Sequence, residues 1–288
     1  TQRDIGDPAT VDTLVDAVAG DEETLLLLRA LTEADARSVG PAAWTSWRAR
    51  LVTALFDATR AALRGTRSPA PVDDAAFGDE SAAALAHVHT TGSAFVSIRA
   101  QGDEYLVRIG DRDRPGLFAD LAGWFSAHGF AVRSASLRTV DGVALDEWIV
   151  SSGAEVPPDG AALARDVRRL AEGDSAPLRR LARRRESGPS DSSAATSGSP
   201  GATRAFIVPS ASDTATVIEV RSSDRPRLLF DVGRALTGRG VSIRSAHVAT
   251  HAGQAVDTFY VTDDLGARLD PATAARVIGT VISACDGA

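Results

Sequence analysis

The stretch Asp113-Arg114-Pro115-Gly116-Leu117-Phe118 returns 111 positions later as Asp224-Arg225-Pro226-Arg227-Leu228-Leu229. The offset holds without a gap well beyond it. Asp120 returns as Asp231, Gly129 as Gly240 and Arg133-Ser134-Ala135 as Arg244-Ser245-Ala246. Thr139 returns as Thr250, Gly142 as Gly253, Asp146 as Asp257 and Val150 as Val261. One module is therefore used twice.

Each copy has the same readable order. Val107 and Ile109, and less cleanly Val217 and Val220, open a strand by alternating with polar residues. Pro115 and Pro226 suit a first helical turn, where their missing N–H has no intrahelical use. Leu117, Phe118, Leu121, Trp124 and Phe125 then follow at helical spacing, as do Leu228, Leu229, Val232, Ala235 and Leu236. Gly129 and Gly240 suit left-handed helix ends. Two strands come next, 131–139 and 143–151, joined at Asp141-Gly142; the second copy gives 241–250 and 254–262 around Ala252-Gly253. Helices at 161–171 and 271–284 close the copies, so the order is strand, helix, strand, strand, helix.

That order, with the D-R-P-(G)-L-(F/L) loop and the R-S-A…T…G…A…D pattern, resembles ACT domains, the small ferredoxin-like modules that bind amino acids in regulated enzymes. The tandem arrangement and residues 254–262, Gln-Ala-Val-Asp-Thr-Phe-Tyr-Val-Thr, are similar more specifically to the C-terminal region of the PII uridylyltransferase/uridylyl-removing enzyme family. The resemblance implies an α+β fold: the end of an HD-type helical domain followed by two ferredoxin-like ACT domains of βαββαβ order. It further implies L-glutamine as effector and the PII signal-transduction protein as partner of the parent enzyme. The alternatives are an amino-acid-binding tandem module of another regulated enzyme, a stand-alone sensor, and a dimerisation module without a ligand.

Ahead of the repeat, residues 1–65 read as three helices. Asp7-Pro8 starts the first through Val11, Leu14, Val15 and Val18. Gly20-Asp21 breaks it, and 23–37 follows with Leu25, Leu28, Leu31 and Thr32 on a buried face. Gly40-Pro41 stops that helix and 44–63 makes the third. Leu31-Thr32-Glu33-Ala34-Asp35-Ala36, Gly40-Pro41 and Trp44-x-x-Trp47-Arg48-Ala49 resemble the closing helices of the family's HD domain. That domain holds Mg or Mn through His and Asp side chains and removes the uridylyl group with an activated water. Asp35 matches its last metal-ligand aspartate; the other ligands would lie upstream of Thr1. Read without the resemblance, Asp35 is a solvated or capping carboxylate.

Residues 66–94 read as a linker, rich in Pro, Ala, Ser, Gly and acidic residues without period, at least to Ala84. His87-x-His89 is either a metal pair on one strand face or two exposed or hydrogen-bonded histidines. Residues 95–183 form the first module, opened by a hairpin of 95–100 and 105–109 across Gly102-Asp103. Between the modules, Arg179-Arg180 and Arg183-Arg184-Arg185 are a solvated helix end or a contact for phosphate or an acidic partner. Residues 184–203 carry too little apolar surface to offset the entropy of ordering and are expected to be disordered. Residues 204–288 form the second module, opened by a short strand at 206–209. Its last helix leaves little chain for a final strand, so a strand from elsewhere is expected to complete the sheet.

Several classes of function are excluded. The chain has 288 residues and contains no methionine, lysine or asparagine. A Walker A loop, a kinase-type ATP lysine and a lysine Schiff base are therefore absent from it. One cysteine, Cys285, excludes an intrachain disulfide and a Cys-x-x-Cys site. The net charge of −7 argues against nucleic acid as a partner. No run approaches the roughly 20 apolar residues of a membrane helix, so no membrane is expected, and a cytoplasmic setting is. A start at Thr1 and the missing metal ligands lead us to expect a fragment with no complete catalytic set.

The ligand-binding candidates are Asp113, Arg114, Pro115, Gly116, Leu117 and Phe118, with Asp224, Arg225, Pro226, Arg227 and Leu228 as their counterparts. A loop entering a helix N-terminus offers unpaired N–H groups to a carboxylate. Gly116 permits close approach. Asp113 and Asp224 either bind an α-ammonium group or cap the helix. Arg227 stands where the family has glycine, so it either blocks the second site or pairs with a carboxylate of the facing module; one competent site, on the first loop, is expected. Asp146 and Asp257 either face the interface or fix a turn. Trp148 and Phe259 are expected in the core, and His247 and His251 have no catalytic company.

Overall fold

The computed structural model describes residues 8–39, 46–66, 80–152, 156–179, 181, 203–209, 211–251 and 254–287. They divide into two compact units, one of residues 1–79 and 209–213, the other of 80–208 and 214–288.

In the first unit, α1 (Pro8–Ala17), α2 (Glu22–Val39) and α3 (Ser46–Leu63) close on a small core of Val18, Leu25 and Phe56. Asp21 starts α2 by accepting from the Thr24 N–H at 2.9 Å. The expected buried stripe of α2 is narrower than its leucines suggest. Leu25 is buried, whereas Leu28 and Leu31 are 41% and 67% exposed; the described contacts of α2 with α3 run through Glu22, Leu25 and Arg29. Asp7 and Trp44 lie outside the described residues.

The second unit is built on one antiparallel sheet of order β1-β2-β4-β3-β7-β8-β6-β5. The first half holds β1 (Phe95–Gln101), β2 (Glu104–Arg112), β3 (Phe130–Val140) and β4 (Val143–Ser152). The second holds β5 (Arg204–Ile207), β6 (Thr216–Ser223), β7 (Ser242–His251) and β8 (Gln254–Thr262). The order is a palindrome, as a duplicated module joined edge to edge requires. The seam is short: Ser134, Ala135 and Ser136 of β3 pair with Ala249, Val248 and His247 of β7.

Both ferredoxin-like modules are present, with one difference in chain order. The fourth strand of each comes before the module's first helix instead of after its last. β1 pairs with β2 and β5 with β6, so the order is ββαββα. The strand expected from elsewhere for the second module is β5, supplied by its own preceding segment.

Four helices cover one face of the sheet: α5 (Leu117–Ala127), α6 (Gly160–Ala171), α7 (Leu228–Thr237) and α8 (Pro271–Asp286). Their apolar sides meet Val107, Ile109, Trp148, Val150, Ile218, Val220, Phe259 and Val261 in one core that runs across both modules. Trp148 and Phe259 are core residues, as expected, with Phe118 stacked on the first at 5.5 Å and edge-on to the second. Gly123 and Gly233 let α5 and α7 close up; a Cβ at Gly233 would stand 2.8 Å from the Phe118 ring and 3.1 Å from the Ala119 Cα.

A further helix, α4 (Glu80–Thr91), occupies part of the expected linker. It covers the opposite face of the first module, where Ala84 and Val88 are buried and Ala84 sits over Gly110. Glu80 meets Arg99 and Arg108, and Ser81 accepts from Arg138 at 2.7 Å. The pair His87-x-His89 is therefore on a helix, where residues two apart point to different sides, and the strand-face metal pair does not form. His87 instead sits edge-on to Phe95 at 6.0 Å.

Asp141 and Gly142 both take positive φ, 50° and 75°, as a two-residue hairpin turn of the primed type needs. Ala252-Gly253, Arg180, Arg183-Arg184-Arg185 and most of 184–203 lie outside the described residues. No described helix is long and apolar enough to cross a membrane.

Candidate functional site

The two repeated loops close in the same way. Helices α5 and α7 begin two residues after the prolines, with Gly116 and Arg227 as left-handed N-caps at φ 88° and 63°. Neither cap uses a side chain, so Asp113 and Asp224 are not helix caps. Asp113 accepts from Thr139 Oγ1 at 2.8 Å, and Asp224 is bonded by Thr250. This cross-link to β3 and β7, one strand further along the sheet, explains why Thr139 and Thr250 recur with the aspartates. Arg114 pairs with Asp120, and Arg225 with Asp231, both at 2.7 Å, which accounts for those recurring pairs.

The loops then diverge. Arg225 also donates to the carbonyls of Cys285 at 3.1 Å and Ala284 at 2.6 Å, at the end of α8. Arg227 Nη2 binds Asp231 at 2.8 Å, and its guanidinium lies over the Phe230 ring at 5.4 Å. Its partner belongs to its own module, which corrects the expected alternative of a carboxylate from the facing one. In the first loop, Gly116 leaves that space free. Arg114 keeps two buried donors, Nε and Nη2, without an acceptor among the described residues.

Beside the first loop is a cavity of about 190 Å³ at the junction of the modules. The loop residues Asp113 to Phe118 form one wall, and Leu137, Ala144 and Asp146 of β3 and β4 form another. The second module contributes Thr237 at the end of α7, Ser242 and Arg244 of β7, and Asp263 after β8. The size suits a small metabolite, being below the roughly 300–1,000 Å³ of drug-sized pockets. Leu117 and Phe118 of the first turn of α5 line it, at the positive end of the helix; the Leu117 N–H is bonded to the Arg114 carbonyl at 3.2 Å, while that of Phe118 has no intrahelical acceptor.

Two of these residues carry more than their sequence suggested. Arg133 and Arg244 are the extra residues of matching β-bulges, between Val132 and Ser134 and between Ile243 and Ser245. A bulge re-aims the side chain, and it brings Arg244 to the cavity and the Arg133 charge to Asp224. The only signal for this in the sequence was the recurrence of Arg-Ser-Ala. Asp146 is 1% exposed, and neither carboxyl oxygen has a hydrogen-bond partner among the described residues. It does not fix the turn. Burial, aided by the neighbouring charges of Asp113 and Asp111, pushes its carboxyl well above the ordinary aspartate range. Asp257 is buried at the equivalent place in the second module.

The remaining candidates do not join this site. Asp35 is exposed on α2, and no group of three His, Cys, Asp or Glu side chains that could hold a metal ion exists among the described residues. These residues do not make up a Mg or Mn site. His247 is edge-on to Tyr260 at 5.6 Å, and burial lowers its imidazole to about 4.

Comparison with known proteins agrees with this architecture. Residues 216–279 match the ACT domain family. The bifunctional uridylyltransferase/uridylyl-removing enzyme of Streptomyces coelicolor is 36% identical over 322 aligned positions, covering 96% of this chain and 38% of that protein. The enzymes of the same description from Phenylobacterium zucineum and Mycobacterium tuberculosis are 34% and 31% identical, covering 94% and 91% of this chain. The chain thus spans 33–38% of the length of these relatives. It carries an ACT domain and is similar, along nearly its whole length, to the C-terminal part of the bifunctional uridylyltransferase/uridylyl-removing enzymes.

Proposed function

We propose that these residues are the effector-sensing regulatory region of a PII uridylyltransferase/uridylyl-removing enzyme, that L-glutamine is the effector, and that the modification state of the PII protein is the output. The observation that carries the sensing role is the cavity beside Gly116, which sets a helix N-terminus against a buried carboxyl group. An α-amino acid has the complementary zwitterion: its carboxylate suits the α5 N-terminus, and its ammonium suits the acidic side. Catalysis belongs to the parent protein, with Mg or Mn where its metal ligands are complete.

Regulation follows from where the cavity lies. Its walls come from both modules, and only three residue pairs join β3 to β7. A ligand held between the modules favours one packing of them over another in proportion to its difference in affinity for the two. In the parent enzyme, that shift biases removal against transfer of the uridylyl group.

Calorimetric titration of this chain with L-glutamine, against glutamate, serine and the branched-chain amino acids, tests the proposal. Saturable binding selective for glutamine, at one site per chain, is expected. Binding of a different amino acid would keep the sensor and remove the nitrogen assignment. Silence toward all of them would remove both.

A further inference from the structure

A carboxyl group that is 1% exposed and has no hydrogen-bond partner among the described residues is costly to the fold and calls for a compensating role. Asp146 is such a group, and it lines the cavity beside the first loop. On β4 it shares the helix-covered face with Ala144 and Trp148, both of which contribute to the core. An apolar residue at this position would continue that face. Its neighbours across the sheet are Ile109 and Leu137, which offer no hydrogen bond from their side chains.

The charged groups around the cavity are unevenly placed. Asp111 and Asp113 approach Asp146 from the end of β2 and the loop beyond it. Arg114, from the same loop, is committed to Asp120. The second module brings Arg244, Asp263 and Asp264 to the opposite wall. Arg138 of β3 also lines the cavity and donates to Ser81 at 2.7 Å, so among the described residues no cation is paired to Asp146, and the charges nearest it are carboxylates.

Building on the amino-acid-sensor reading, we propose that Asp146 is the residue that takes the ligand's ammonium group, completing its unfilled hydrogen bonds only when the effector is bound. An ammonium ion supplies several N–H donors and one positive charge, which matches a buried carboxylate with two open acceptors. The assignment also gives polarity to the site: ammonium toward β4, carboxylate toward the first turn of α5. Burial and the two neighbouring carboxylates favour the protonated acid in the empty site. Binding then exchanges that proton for the ammonium group and releases it to the solvent.

Calorimetry in two buffers of different ionisation enthalpy, at matched pH, reads this exchange directly. The probes are L-glutamine and the other amino acids of the titration above, with the wild-type chain and Asp146→Asn. Wild type is expected to release up to about one proton per amino acid bound. Asp146→Asn is expected to bind on the order of tenfold or more weakly and to release none. Loss of both with an amino acid other than glutamine would uphold the Asp146 assignment while removing glutamine. Tight binding of glutamine without proton release at any pH from about 4 to 8, or with undiminished affinity in Asp146→Asn, would overturn the assignment and leave the sensor standing. Absence of any amino-acid binding by the wild-type chain would overturn both. The proton count of the wild type needs no variant, so it decides the matter even where Asp146→Asn folds poorly.

Discussion

Arg114 and Asp120 meet at 2.7 Å across the start of α5, and Arg225 and Asp231 repeat the pair at the same distance across the start of α7. The pair fastens each loop to the helix it feeds. Arg225 adds two carbonyls at the end of α8, whereas Arg114 leaves Nε and Nη2 buried without acceptors among the described residues. Replacing Arg114 by alanine strands a mostly buried Asp120, at a cost of about 1–3 kcal/mol, whereas Asp231 keeps Arg227 when Arg225 is replaced. Arg225→Ala is expected to cost less than Arg114→Ala, because Arg227 still holds Asp231 and the two helix-end carbonyls it frees are neutral acceptors, cheaper to leave unpaired than a carboxylate. Urea unfolding of the two variants, compared by midpoint, checks the order.

Asp146→Asn should stabilise the ligand-free chain at neutral pH by about 1–2 kcal/mol, since it removes a buried ionisable group that nothing compensates. The sign of its pH dependence follows from the raised carboxyl. The folded state holds the proton more tightly than the unfolded state, whose value is 3.8. The wild-type advantage is therefore complete below about 3.8 and is lost as pH rises through the folded value. The gap between variant and wild type should widen from acid to neutral pH in thermal unfolding. An aspartate that fixed the turn would give the opposite result, a destabilised variant.

Much of this architecture was legible in the chain, and what was not has definite causes. Duplication disclosed both modules, and helical spacing placed Leu117, Phe118, Leu121, Trp124 and Phe125 in the core, where all five are buried. Helix α4 was missed because Glu80–Thr91 is rich in alanine and threonine, follows a Pro/Ala run and shows no strong apolar stripe. Its two buried residues, Ala84 and Val88, are small enough to pass for linker. Of the two alternatives for Asp113 and Asp224, the helix cap does not form, and the partners they have instead, Thr139 and Thr250, are remote in sequence. For Asp146, recurrence marked the position, but the lack of a partner is a property of three-dimensional surroundings.

Gly233→Ala tests whether helix packing and the site are coupled. The new methyl group would press on the Phe118 ring, and the backbone of Ala119 prevents simple relief. Overpacking of this kind costs about 1–3 kcal/mol, against a gain of up to about 1 kcal/mol from better helix propensity. Phe118 also lines the cavity, so amino-acid affinity should fall along with stability. Thermal unfolding and calorimetry on the same sample separate the two effects.

His247 sets an acid limit. Burial lowers its imidazole to about 4 from 6.5, so the unfolded state binds a proton more readily between these values. Stability that is present above about 6.5 should be lost as pH falls toward 4, up to about 3 kcal/mol. His247→Gln should flatten this part of the stability profile, measured by urea unfolding at half-unit steps of pH. The Asp146 contribution runs the other way in pH, so the double variant distinguishes the two.

Gly116→Arg copies the second loop into the first. Arg227 shows that arginine is accommodated at this position with φ 63°, and a Cβ on Gly116 would meet nothing closer than the Thr237 methyl carbon at 3.7 Å. The left-handed conformation costs a non-glycine residue about 1–2 kcal/mol, partly offset by a pairing with Asp120 like that of Arg227 with Asp231. The variant should therefore fold, with its guanidinium beside the α5 N-terminus that the ligand's carboxylate would occupy. Wild type is expected to bind one amino acid per chain and Gly116→Arg none, with thermal unfolding midpoints only a few degrees apart. A stoichiometry of two in the wild type would show that the Arg227 loop is open as well. Persistent binding in Gly116→Arg would move the site away from the first loop.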